Sequence, residues 1–148
     1  MSTGRSALVA LALLAGLACQ GIPGSAADPA SAGSGKGLAA QVSDAEMVKV
    51  RVTPLDVSSA AKVWRFEVVF DTYTVELNHD VAAIAVLIDA AGREQKPIAL
   101  EGDRPGGHHR KSMLMFKQMN PAPATLTLKL QQVGPVPERS FTWPPPRR

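Results

Sequence analysis

The sequence predicts an all-β sandwich of seven to eight strands over residues 44–143, preceded by a signal peptide and a flexible linker. Three observations lead to this fold class. Successive segments alternate between apolar and polar residues, which is the pattern of half-buried strands. Clusters of Gly, Pro, Asn and Asp separate these segments and are typical of turns. No segment between residues 45 and 143 keeps a helical period.

Short strands follow one another along the whole folded region. They are predicted at residues 47–53, 62–70, 72–77, 83–89, 94–100, 112–116, 124–130 and 138–143. Val48 and Val52 share one face of the first strand, and Trp64, Phe66 and Phe141 are predicted core residues of later strands. Strands at this spacing favour an immunoglobulin-like sandwich. A helical turn over residues 79–85 is the one competing prediction.

Residues 1–18 have the proportions of a secretory signal peptide. Arg5 is the one charged residue before an apolar run that is too short to span a bilayer. Cys19 follows in Leu14-Ala-Gly-Leu-Ala-Cys19, which resembles a bacterial lipobox, in which the cysteine is lipidated. Cleavage after Ala27 is the alternative, and it would remove Cys19. Both alternatives predict an extracytoplasmic protein of the periplasm or cell envelope, and the first adds a lipid anchor.

Two segments of unusual composition flank the predicted domain. Residues 19–43 are rich in Gly, Ala, Ser and Pro and have no apolar period, so they are predicted to form a disordered linker. Residues 144–148 form a Pro/Arg tail. This tail is a candidate recognition segment, although three prolines more often simply end a domain.

Composition excludes several classes of protein. The chain has 148 residues and a formal net charge of +3, with 16 basic and 13 acidic residues and no basic run, so we expect no nucleic-acid partner. A single cysteine excludes an intrachain disulfide framework and a Cys-based zinc site.

A Gly-Gly-His-His loop is the most distinctive feature for chemistry. His108 and His109 follow two glycines and precede a strand with two methionines, and imidazole with thioether ligands suits copper. Asp71 and His79 are further candidate ligands. Neighbouring residues of an extended chain point in opposite directions, so both loop histidines could bind one ion only at a turn. The competing interpretation gives these histidines polar structural roles and places one methionine face in the core.

An enzyme is not predicted. The sequence contains no G-x-S-x-G nucleophile elbow, no phosphate-binding glycine motif and no calcium loop. Because no nucleophile and base form a recognisable pair, a hydrolase stays a remote alternative.

Several motifs resemble those of a little-characterised group of small exported bacterial domains, whose pattern is D-T-H-S-V-x-L, a strand, P, G-G-H-H and E-R-x-F-x-W. The matching segments are Asp71–Leu77, Pro97, Gly106–His109 and Glu138–Trp143. The resemblance implies a sandwich fold and carries no established activity.

The chain departs from that pattern at Tyr73, which stands in the place of a histidine. A metal site of Tyr73, Asp71, His108 and His109 would therefore use phenolate, which suits copper or iron better than zinc. The alternative is structural: Asp71 and the histidines would join two loops by hydrogen bonds.

Two functions are compatible with these features. The first is a non-enzymatic, membrane-tethered module that binds an unidentified protein or membrane component of the bacterial cell envelope. The second is a periplasmic copper-binding domain that uses the Gly-Gly-His-His loop.

Overall fold

A computed structural model describes residues 38–144, which form nine strands and one short helix. The strands are β1 Gln41–Ala45, β2 Val48–Asp56, β3 Val63–Thr72, β4 Ala85–Asp89, β5 Glu94–Gln95, β6 Ala99–Gly102, β7 His109–Lys117, β8 Leu126–Val133 and β9 Val136–Trp143; the helix is α1 Val81–Ile84. None of the helical structure within residues 38–144 is long and apolar enough to cross a membrane. The predicted signal peptide, Cys19 and most of the Pro/Arg tail lie outside the described residues.

The strands form two antiparallel sheets, so the predicted all-β sandwich is confirmed. The larger sheet has the order β1-β2-β3-β7-β6, and the smaller sheet has the order β5-β4-β8-β9. The immunoglobulin-like subtype stays a prediction.

The core lies between the two sheets and consists of the inward residues of each alternating strand. Val48, Val50 and Val52 are fully buried, as the alternation predicts. Phe66 of the larger sheet lies 5.8 Å, centroid to centroid, from Trp143 of the smaller sheet. These contacts across the interior remove apolar surface from water, which is the main favourable contribution to folding.

The predicted strand at residues 72–77 is wrong, because Thr72 ends β3 and residues 73–77 form a loop. Thr72 Oγ1 accepts hydrogen bonds from the backbone N–H groups of Thr74 and Val75, which turns the chain out of the sheet. Leu77 is fully buried, whereas Tyr73 points into solvent. A local side-chain hydrogen bond therefore overrides the β propensity of this segment.

The predicted strand at residues 94–100 is divided between the two sheets. β5 pairs with β4, whereas β6 pairs with β7. Pro97 lies between them and has no N–H to donate to a sheet. The competing prediction of a helical turn is confirmed in α1, where the carboxylate of Asp80 accepts hydrogen bonds from the N–H groups of Ala82 and Ala83.

The first strand lies across the predicted boundary at residue 43, because β1 begins at Gln41. Arg139 of β9 donates hydrogen bonds to the carbonyls of Ser43 and Ala45, at 3.0 and 2.7 Å. Trp143 Nε1 donates to the carbonyl of Ala39 at 2.7 Å. Side chains of the opposite sheet thus hold a segment whose own sequence has no apolar pattern.

The turn between β1 and β2 has an unfavourable backbone conformation. Glu46 and Met47 have φ angles of 50° and 66°, as a two-residue type I′ hairpin requires. Asn-Gly is the preferred sequence for this turn, because left-handed backbone costs an ordinary residue roughly 1–2 kcal/mol.

We therefore expect the Glu46→Asn/Met47→Gly variant to be more stable than the parent by about 1 kcal/mol. Urea unfolding of the two proteins measures the difference in unfolding free energy. A Glu46→Ala/Met47→Ala variant is the matched control, since it removes both side chains and keeps the backbone strain. Loss of stability in the Asn-Gly variant would contradict the assigned turn.

Loops lie at two opposite ends of the sandwich. We call proximal the end formed by residues 38–40, 57–62, 90–93, 118–125 and 144, and distal the end formed by residues 46–47, 73–80, 103–108 and 134–135. β7 runs from the distal to the proximal end, and its length separates them by about 27 Å. Both ends of the described chain are proximal, as the Trp143–Ala39 hydrogen bond requires.

Candidate functional site

The Gly-Gly-His-His loop lies at the distal end, where it pairs with the loop that follows β3. The N–H of Gly106 donates to the carbonyl of Leu77 at 2.9 Å, and the N–H of Leu77 donates to the carbonyl of Gly107 at 3.2 Å. The N–H of Thr72 donates to the carbonyl of His108 at 2.8 Å. Gly106 and Gly107 have φ angles of 115° and 74°, which explains the need for glycine at both positions.

The structure brings two of the predicted ligands together. Asp71 near the end of β3 is the cross-strand partner of His109 at the start of β7. The Nδ1 atom of His109 contacts the Oδ1 atom of Asp71. Both side chains are at least half exposed, so solvent screens the ion pair that forms when the imidazole is protonated. The contact joins the neighbouring strands β3 and β7.

The other predicted ligands do not complete a metal site. Within residues 38–144, no three His, Cys, Asp or Glu side chains form a group that could hold a metal ion. The side chain of Tyr73 is 95% exposed. Met113 is partly buried on the outer face of the larger sheet, and Met119 is buried in the core. The copper set of Asp71, Tyr73, His108 and His109 therefore stays a prediction.

An open depression adjoins His109 on the edge of the larger sheet. It has a volume of about 380 Å³ and lies between β6 and β7. Its lining includes Asp103, His109, Lys111 and Met113. Lys111 is already paired with Glu67 at 2.6 Å, so the charge of its ammonium group is balanced within the protein.

Arg110 is the distal residue that the sequence prediction missed. It is 1% exposed, and its guanidinium donates to the carbonyls of His79 at 2.6 Å and of Leu77 and Asp103 at 3.3 Å. Burial lowers the pKa of Arg110, and the nearby carboxylates of Asp80 and Asp103 oppose that effect. Arg110 thus fixes both distal loops. Its place after His109 gave no signal of this, because arginine is ordinarily a surface residue.

His79 lies beneath these loops, in surroundings that favour the neutral form of its imidazole. Its ring packs edge-on against Phe70, and its Nε2 atom is buried without a hydrogen-bond partner within the described part of the chain. Burial, and secondarily the charge of Arg110, lower the pKa of His79 below 6.5. The unfolded chain therefore binds a proton at a higher pH than the folded chain does.

We expect the free energy of unfolding to fall as the pH drops below 6.5, because protonation of His79 favours the unfolded chain. Urea unfolding at neutral pH and below pH 6 measures this loss. His79→Gln removes the titrating group and should flatten the dependence in that interval. His108→Gln, at an exposed loop position, is the control and should leave the dependence unchanged. A parent and a His79→Gln variant with equal slopes would show that another group is responsible.

The Glu-Arg-x-Phe-x-Trp motif has a structural role. Arg139 and Trp143 bind the backbone of β1 and of the segment before it, and Phe141 packs in the core with its ring stacked on Trp143. Comparison of the chain with protein-family models, with curated proteins and with solved structures gives no match.

The distal end is the candidate functional site, because it combines exposed loops with the Asp71–His109 contact.

Proposed function

We propose that this protein is an exported, membrane-tethered β-sandwich without enzymatic activity, which binds another component of the bacterial cell envelope through its distal end. Export and tethering are inferred from the signal-peptide pattern and Cys19. The choice of the distal end depends on the residues that it exposes.

Two large side chains project into solvent on adjacent distal loops. Tyr73 is 95% exposed and Met47 is 61% exposed. The loops touch, since Thr74 Oγ1 lies 3.4 Å from Met47 Sδ. Aromatic and methionine side chains are enriched in protein interfaces, where their burial contributes much of the affinity. We call Met47, Tyr73 and His108 the distal tip, and its exposed apolar side chains are the observation on which the proposal rests.

The distal tip is held in place before a partner arrives. Arg110 fixes the loop that carries Tyr73, and the strained β1–β2 turn holds Met47. Backbone strain of this kind is often retained where a side chain must be presented in one position. A surface that is ordered in advance loses less conformational entropy on binding.

The predicted tether joins the sandwich at the end opposite the distal tip. Leu38 follows Cys19 by 19 residues, a span of at most about 65 Å. The chain enters the sandwich at the proximal end, so an anchor at Cys19 leaves the distal tip accessible to a partner.

Site-specific photocrosslinking in the producing bacterium tests this function. We expect Tyr73→p-benzoylphenylalanine to give one discrete adduct, which Met47→Ala weakens, and Glu94→p-benzoylphenylalanine to give none, because Glu94 is exposed far from the distal tip. In the same cells, Cys19→Ala should release the protein from the membrane fraction. Equal crosslinking at both positions, or none at Tyr73, would exclude distal-tip binding.

Copper binding is the second candidate, favoured by the contact between Asp71 and His109. Calorimetric titration with cuprous and cupric ions, beside a His108→Ala/His109→Ala variant, tests it. Tight one-to-one binding that the variant loses would support copper handling. Binding no stronger than that of any exposed histidine would exclude it.

A further inference from the structure

The two ends of the sandwich carry opposite charges in their loops. The distal loops contain four carboxylates and one exposed cation: Glu46, Glu76, Asp80, Asp103 and Arg104. The proximal loops contain two cations, Lys62 and Arg93, and no carboxylate. Arg93 is paired with Asp89 at 2.5 Å, which leaves Lys62 as the unpaired charge of these loops.

Two further cations lie on the larger sheet close to the proximal end. Lys117 is the last residue of β7, and Arg65 is the third residue of β3. Within residues 38–144, neither Arg65 nor Lys117 nor Lys62 has a carboxylate within 4.0 Å, whereas Lys49 and Lys111 of the same sheet are paired. The N–H of Gln118 donates to the carbonyl of Lys62 at 3.0 Å, so Lys62 and Lys117 belong to neighbouring backbone segments.

An exposed apolar side chain accompanies these cations. Leu55 is 48% exposed, and it precedes Asp56, the cross-strand partner of Arg65. Two carboxylates lie next to Arg65 on this face: Asp56, whose Oδ1 atom accepts hydrogen bonds from Ser58, and Glu67, which is paired with Lys111. We call Leu55, Lys62, Arg65 and Lys117 the basic end.

The sequence adds basic residues where the chain enters and leaves this end. Lys36 precedes Ala39 by three residues, and Arg147 and Arg148 follow Trp143 by four and five. No acidic residue occurs between Gly35 and Ser43 or after Trp143.

We propose that the basic end docks on an anionic lipid surface. The cations lie at the end where the chain enters the domain, and their unpaired charge complements anionic headgroups. Each such residue close to an anionic bilayer strengthens binding by about fivefold. The proposal deepens the proposed function, since it orients the tethered domain with its acidic distal end away from the membrane, but the lipid surface does not depend on the partner of the distal tip.

Vesicle sedimentation of unacylated protein from Gln20 to Arg148 tests the docking. We expect binding to phosphatidylcholine vesicles that contain phosphatidylglycerol, no binding to phosphatidylcholine alone, and release at high salt. Lys62→Gln/Arg65→Gln/Lys117→Gln should weaken binding at least about tenfold. Lys49→Gln/Arg104→Gln/Lys129→Gln removes the same charge elsewhere and should change binding less than about threefold.

Thermal unfolding of both triple variants verifies that they fold. Equal loss in the two variants would show that net charge, and not the basic end, governs binding, and would overturn the proposal. Absence of binding to anionic vesicles by the folded parent would overturn it as well. Neither result affects the crosslinking of the distal tip, so the two proposals fail separately.

Discussion

Replacing Trp143 by alanine is expected to lower the free energy of unfolding by about 3–5 kcal/mol. Trp143 is 2% exposed, packs against Phe66 of the opposite sheet and is stacked on Phe141. Its indole N–H also donates to the carbonyl of Ala39, so the variant would lose the hydrogen bond that attaches the segment before β1 to β9. A loss of this size approaches the whole stability of a small domain. Urea unfolding, followed by circular dichroism, measures it.

Two variants make the result specific. Trp143→Phe keeps an aromatic ring in the core and loses the N–H, so we expect it to lower the free energy of unfolding by roughly 1–2 kcal/mol. Tyr73→Ala removes a comparable ring from the solvent and should change the free energy of unfolding by no more than about 0.5 kcal/mol. Equal stability of the parent and Trp143→Ala would show that β9 is assigned to the wrong register.

The alternation of apolar and polar residues was sufficient to predict most of the fold. A period of two needs no information beyond the strand itself, and β2, β3, β8 and β9 lie within a few residues of their predicted places. β1 was not predicted because its own sequence has no apolar period: it pairs with β2, and Arg139, 96 residues after Ser43, binds its carbonyls. The segment after Thr72 was predicted as a strand because β propensity says nothing of a competing side-chain hydrogen bond.

The distal end could be predicted only in part. The residue types identified its histidines as candidate ligands, but the fold determines which side chains lie next to them. Asp71 and His109 were both candidates, and their contact follows from the pairing of β3 with β7. Tyr73 belongs to the same predicted set only through the resemblance, in which a histidine occupies its place, and its side chain points into solvent. The sequence did not predict the exposure of Met47, because that exposure depends on a strained turn that lacks the usual Asn-Gly sequence.

Arg110→Leu is expected to destabilise the protein by about 3–4 kcal/mol, because it removes the donor shared by three distal carbonyls. The carbonyls of Leu77 and His79 would lose the guanidinium, and the loop that carries Tyr73 would lose its attachment to β7. Amide hydrogen exchange should therefore accelerate at Leu77 and Thr72, whose N–H groups bond the carbonyls of Gly107 and His108.

The matched control is Arg104→Leu, an exposed arginine of the same loop, for which we expect a change within about 0.5 kcal/mol. If Arg110→Leu loosens the distal end selectively, crosslinking at Tyr73 should fall while binding to anionic vesicles persists, because the basic end is about 27 Å away. A variant that keeps the parent's exchange rates at Leu77 and Thr72 would show that the backbone hydrogen bonds of the Gly-Gly-His-His loop hold the distal end without the arginine. The distal tip would then be presented by its backbone alone.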